Sequence, residues 1–233
     1  MSGRAWLALM VLVAAIGGWY SPVSPRKAAG YERVEAATGP TSRTARSVES
    51  GGGRAAVIAC ELPSLVQPFD PPRQSAVPSS LARFQLKAAT LTPLAGFSID
   101  ARVLSRRDYR SDREAELSPV DLALGWGRMR EDAVLSQLDI TQSGRWYRYR
   151  YGGTPPIPPI EIDRSAANMH MIPGSREIAA ALDDVEAGDR VRIDGWLVEA
   201  QAPDGWRWRS SVARDDTGQG ACELVYVCAV TRL

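Results

Sequence analysis

Residues 5–20, AWLALMVLVAAIGGWY, carry neither charge nor proline over sixteen positions and follow the short basic start Met1–Arg4. A run that is apolar on every helical face has no polar side to turn to water, so it reads as an export signal and not as part of a soluble core. Its length lies between a signal-peptide core and the roughly 20 residues that cross a bilayer untilted. Trp19 and Tyr20 stand where an interfacial aromatic belt anchors a spanning helix. Val13-Ala14-Ala15 offers small residues for cleavage, but a cut there leaves only about ten apolar residues. We therefore expect a single-pass inner-membrane anchor with its domain in the periplasm. Cleavage would instead release the domain into the periplasm. Arg4 favours a cytoplasmic start, while Arg26 and Lys27 pull the other way.

What remains for folding is limited by the next stretch. Ser21–Ala56 contains Pro22, Pro25, Pro40 and Gly51-Gly52-Gly53 among scattered polar residues, too little apolar surface to offset the entropy of ordering. Val57–Leu62 reads as a short edge strand, and prolines continue to Pro78. The expected organisation is a membrane segment over 1–20, a flexible linker over 21–80 with one strand near 57–62, and a single α+β domain over 81–233. From Leu81 to Leu233 there are 20 basic and 22 acidic residues, and the whole chain carries a net charge of +1. Such a balance argues against a nucleic-acid partner, which needs a concentrated excess of Lys and Arg.

Within the domain, Phe84–Lys87 and Phe97–Val103 alternate with period two across Pro93 and Gly96 and predict a hairpin. Ser118-Pro119-Val120-Asp121 has the form of a helix start, predicting a short helix through about Leu124. Asp132 predicts a second helix carrying Val134, Leu135 and Leu138, ended by Gly144 before a strand over Arg145–Tyr151. Thr154–Pro159 (TPPIPP) must leave any sheet. Ser175 caps a third helix with Ile178, Leu182 and Val185 on one face. Val191–Val198, Trp206–Ala213 and Cys222–Val230 predict an antiparallel meander. The expectation is a mostly antiparallel curved sheet or small β-barrel with two or three short helices.

The lone histidine, His170, has no second His and no Cys or acid at ligand spacing, so neither a metal nor a cofactor is expected there. Cys222 and Cys228 are six residues apart on one predicted strand, about 20 Å if regular, whereas a disulfide needs Cα atoms within about 7 Å. Cys60 can pair with either one, and buried free thiols are the alternative. Period two gives the strand Arg145–Tyr151 a tyrosine face and a Trp146/Arg148/Arg150 face, and separates Trp206/Trp208 from Arg207/Arg209. That pattern fits ordinary half-buried strands. It also supplies a candidate partner-binding surface in Trp206, Trp208, Arg148 and Arg150.

The order His170, helix, Ala187-Gly188-Asp189-Arg190-Val191, then Val225-Tyr226-Val227-Cys228 and Arg232 resembles that of sortases, membrane-anchored β-barrels with a cysteine nucleophile. This resemblance implies a transpeptidase or hydrolase using His170, Cys228 and Arg232. The family's Thr-Leu-x-Thr-Cys strand has no counterpart. Gly188–Gly195 leading to Arg214–Gly218 resembles the strand and turn pattern of OB-fold barrels over about 40 residues, which implies shape and no activity. As a whole, the chain resembles uncharacterised membrane-anchored proteins of Gram-negative bacteria. The leading expectation is a tethered periplasmic domain that binds an envelope protein or glycan without catalysis.

Overall fold

The computed structural model describes residues 60–86, 88–213 and 222–233, so the apolar run 5–20, most of the predicted linker and the turn at 214–218 lie outside the described residues. The strands are β1 (Arg73–Ser75), β2 (Phe84–Gln85), β3 (Thr90–Asp108), β4 (Val120–Gly125), β5 (Leu138–Ser143), β6 (Trp146–Tyr151), β7 (Ala166–Pro173), β8 (Arg190–Gln201), β9 (Arg207–Arg209) and β10 (Glu223–Arg232). Three short α-helices accompany them among the described residues: α1 (Asp132–Leu135), α2 (Pro159–Asp163) and α3 (Arg176–Asp183). The domain is therefore α+β, mostly strands in a curved sheet, as the composition of short alternating runs led us to expect.

The eight-stranded sheet is organised around β3. One side of this strand pairs with β8 over Thr90–Arg102, and its last residues pair with β4 over Arg102–Asp108. From β4 the pairings pass to β7, then β10, then β8, and β8 leads back to β3. Only β7 and β10 run parallel among these five. A strand can serve two neighbours this way when it bends, and the register of β3 shifts at Pro93/Ala95 and again at Val103/Ser105. Pro93 sits beside the first shift, where a missing N–H is tolerated. Pro93 and Gly96 thus lie inside one continuous strand, and the turn of the expected hairpin comes earlier in the chain: Phe84 and Gln85 of β2 pair antiparallel with Leu91 and Thr90 of β3.

Three other expectations are corrected. Ser118–Leu124 is not a helix: β4 runs from Val120, and Leu122 and Leu124 alternate into the core with Met169 and Ala167 opposite them. Burying each of these side chains is worth about 2 kcal/mol, which outweighs the few tenths favouring a helical start. The second helix stops at Leu135, and Leu138 begins β5 of a separate two-stranded hairpin. The Ser175 expectation holds: its Oγ accepts from Ile178 N, and Leu182 and Val185 of the α3 segment enter the main core. The expected meander is only half formed. Strands β8 and β9 make a hairpin, but β10 pairs with the earlier part of β8, on the same edge as β9, instead of adding to β9. Gly195 permits that approach, since a Cβ there would lie 2.0 Å from the Tyr226 carbonyl oxygen.

Residues 60–75, placed by sequence in the linker, cross the outside of β3 and β8 as a strap. Val66 N donates to Ser98 Oγ at 2.8 Å, Phe69 N to Asp100 Oδ2 at 3.2 Å, and Trp196 Nε1 to Glu61 O at 3.0 Å. Arg192 Nη2 donates to Val66 O at 2.8 Å, and β1 pairs with β3. Cys60 and Cys228 form a disulfide that closes the strap's start onto β10, with a Cα–Cα distance of 5.4 Å. The register of β10 shifts between Val227 and Ala229, so Cys228 is the extra residue of a bulge.

Candidate functional site

The site grows from an ion network on the outer side of β4 and β7. Asp121 and His170 are directly opposite in those strands, and their side chains leave the face that Leu122 and Met169 give to the core. Asp121 is 0 % exposed and His170 3 %. Asp121 Oδ1 lies 2.9 Å from His170 Nδ1, and Asn168 Nδ2 donates to Asp121 Oδ2 at 3.1 Å. A carboxylate opposite Nδ1 fixes the proton on that nitrogen when the ring is neutral. Gln142 of β5 then holds Asn168 through Nε2 to Oδ1 at 2.7 Å.

A buried carboxylate needs a cation, and the tight turn between β5 and β6 delivers one. Two residues, Gly144 (φ +58) and Arg145 (φ +67), connect the strands. Left-handed backbone suits glycine and is unfavourable for arginine, so Arg145 is held there by what its side chain gains. Its Nη1 donates to Asp121 Oδ1 and to Ser118 O, both at 2.9 Å. Its Nη2 and Nε reach Asp112 at 2.6 and 3.2 Å, and its Cζ stands 3.7 Å from the centre of the Tyr109 ring. Burial works against the Arg145 charge, but Asp112 and Asp121 outweigh it and raise its pKa. Burial likewise pushes Asp112 upward, yet the hydrogen bonds and charge of Arg145 hold its carboxyl below the usual value.

The network supports an aromatic and basic mouth. Trp208 of β9 packs on His170 with ring centres 4.7 Å apart, and Trp206 follows at 6.0 Å from Trp208. Asp112 caps the 3-10 turn Arg113–Glu116 by accepting from Ala115 N at 2.7 Å. That turn sets Arg113 Cζ 4.8 Å over the Trp206 ring, and Arg113 Nη2 contacts both oxygens of Asp204 at 2.6 Å. Arg113, first, and the Trp206 N–H keep the Asp204 carboxyl below its usual pKa. Between these groups lies a cavity of about 300 Å3 lined by Ala88, Arg113, Glu116, Leu117, Ala202 and Trp206. Its walls can stack a ring or sugar face on an indole, and they present one cation and one carboxyl to hydrogen-bonding groups.

Of the sequence-predicted residues, Trp206 and Trp208 come together, and with His170 they belong to one site. Arg148 and Arg150 do not join them. Both lie on the separate β5–β6 hairpin, where Arg148 donates to Ser143 Oγ and Arg150 lines a different depression with Asp139 and Tyr151. His170, Cys228 and Arg232 are not assembled either. Leu224 is the residue of β10 opposite His170, Cys228 lies four residues beyond with its sulfur in the disulfide, and Arg232 pairs with Asp189. Cys222, the third disulfide candidate, is outside any disulfide, and its sulfur lies 4.0 Å from Arg145 O. Among the described residues no group of three or more His, Cys, Asp or Glu is placed to hold a metal.

The sequence reading missed Asp112, Arg113, Asp121, Arg145 and Asn168. Two signals were available. A charge inside the apolar run Val120–Leu124 marks a buried partner, and Gly144-Arg145 is a two-residue link between alternating runs, a hairpin signature. No protein family, curated protein or solved structure matches this chain.

Proposed function

We propose that this chain is a non-catalytic binding domain of the cell envelope, tethered to the inner membrane by residues 5–20, that takes a protein or glycan at the Trp206–Arg113 mouth. The strand path supports a shape as well as a site. Five strands whose pairings return to the first, with α3 between β7 and β8, fit a small barrel of the OB type. Such barrels bind against their second and third strands and between the loops after the first and fourth. Here those strands are β4 and β7, which carry Asp121 and His170, and those loops carry Arg113 and Trp206.

The observation that carries the proposal is the half-buried Trp206, which forms a wall of a cavity while Arg113 stacks on its ring. Glu116 and Asp204 at the same mouth oppose a polyanionic ligand such as an oligonucleotide. A photo-crosslinking amino acid at position 116, on the cavity wall with Trp206, in the full chain in its native membrane, tests this. A discrete adduct is expected, protease-sensitive for a protein partner and muramidase-sensitive for a cell-wall glycan. The same probe at Ile160, which is 55 % exposed and outside the cavity, should give none. Equal labelling from both positions, or none from 116, contradicts the proposal.

A further inference from the structure

A second cluster lies on the outer side of β3 and β8, under the strap, and the proposed binding mouth does not use it. Arg102 and Arg190 are directly opposite across these strands, an arrangement that like charges disfavour unless an anion lies between them. Arg130, at the end of a 3-10 turn over Gly127–Arg130, brings a third guanidinium with only 10 % of its side chain exposed. Against these three stand two carboxylates. Asp100 is paired with Arg130 and lies 3.6 Å from Arg190, and Asp132 lies 2.5 Å from Arg102 but is 84 % exposed.

The donors outnumber their acceptors. Arg102 Nε and both Nε and Nη1 of Arg130 are buried and have no hydrogen-bond partner among the described residues. A buried guanidinium N–H left unmade is strongly unfavourable, so three on one patch ask for an acceptor. Burial first, and Arg190 as well, lower the pKa of Arg130 in spite of Asp100, which marks a cation short of negative charge. Phe69 covers the patch. Its ring centre is 4.9 Å from Arg130 Cζ and 4.8 Å from Arg190 Cζ, yet it is 65 % exposed and its backbone is left-handed at φ +70. A bulky residue in that conformation, held mainly by cation–π contacts and one N–H to Asp100, can swing aside at little loss.

We infer that Arg102, Arg130 and Arg190 form an oxyanion site, taking a phosphate group under the Phe69 ring. Guanidinium forks match tetrahedral oxyanions in geometry and charge, and a bound oxyanion would supply acceptors to all three unpaired N–H groups. The phosphate could be free or carried by a lipid headgroup, and two arms separate these sources. In the first, the thermal midpoint of the folded domain is followed in inorganic phosphate against chloride of equal ionic strength. A saturable rise on the order of 3–5 °C at tenfold excess over the dissociation constant is expected. In the second, the domain is sedimented with phosphatidylglycerol vesicles and with neutral vesicles.

Arg190→Gln removes a guanidinium that is 40 % exposed, so the domain should fold and lose about tenfold in affinity in whichever arm responds. Arg130→Gln leaves Asp100 buried without its main partner and is the less dependable variant. A midpoint that moves no further in phosphate than in chloride, together with no preference for anionic vesicles, overturns the inference. So does an Arg190→Gln chain that responds like the parent.

Discussion

Arg145 is where backbone strain and buried charge meet. Its left-handed φ would suit glycine, and Arg145→Gly should relieve about 1 kcal/mol. The same change leaves Asp121 buried without its cation, a loss of about 3–5 kcal/mol for broken buried pairs. Electrostatics wins, and we expect a net destabilisation of about 2–4 kcal/mol at pH 7 by urea unfolding. Part of it depends on pH. The folded pKa of Asp112 is held low by Arg145 and its unfolded value is about 3.9. Its contribution is therefore complete above that value and lost as pH falls through the depressed one. The gap between parent and Arg145→Gly should narrow from pH 5 toward pH 3. A gain in stability at pH 7, or a gap that widens in acid, would show that the turn and not the ion pair governs this position.

At the scale of elements, α3 and the β8–β9 hairpin were legible because their signals are local: a serine cap with spaced apolar residues, and alternating runs around Pro203-Asp204-Gly205. The second helix and β4 were not. Leu138 belongs to a helical spacing and to a strand alternation alike, and Val120–Leu124 is apolar at every position but one. Which period applies depends on partners far along the chain, Met169 and Met171 for β4, that no window reveals. The strap has the same origin. Residues 60–75 look like linker because their hydrogen bonds go to Ser98, Asp100 and Arg192 instead of to each other. The disulfide makes that element specific: Cys60–Cys228 spans 168 residues, and a loop so long removes much entropy from the unfolded chain. Cys60→Ser with Cys228→Ser should lower stability by about 2–5 kcal/mol. Amide exchange should accelerate across 60–75 while β4 and β7 stay protected. Uniform acceleration would mean that the strap holds the whole sheet together.

For the whole molecule, a strand path that returns to β3 gathers one set of alternating apolar side chains from β4, β7, β8 and β10 into the main core, while a second apolar cluster, with Ile172, Trp196, Val198, Leu224 and Tyr226, covers part of the outer side. On that outer side, Asp121, His170 and Arg145 fix the Trp208 ring, and Trp206 is carried one step further out to the cavity. The two tryptophans, equivalent by alternation in the sequence, both pack against the outer apolar cluster, but only Trp208 lies on the His170 ring and only Trp206 lines the cavity. One measurement separates them, which is partner crosslinking from a photoprobe at Glu116, taken beside the unfolding midpoint, for Trp206→Ala and Trp208→Ala chains. We expect Trp206→Ala to keep its stability within about 1 kcal/mol and lose the adduct, and Trp208→Ala to drop by about 3 kcal/mol. A Trp206→Ala chain that is stable and still yields the full adduct would contradict the proposal.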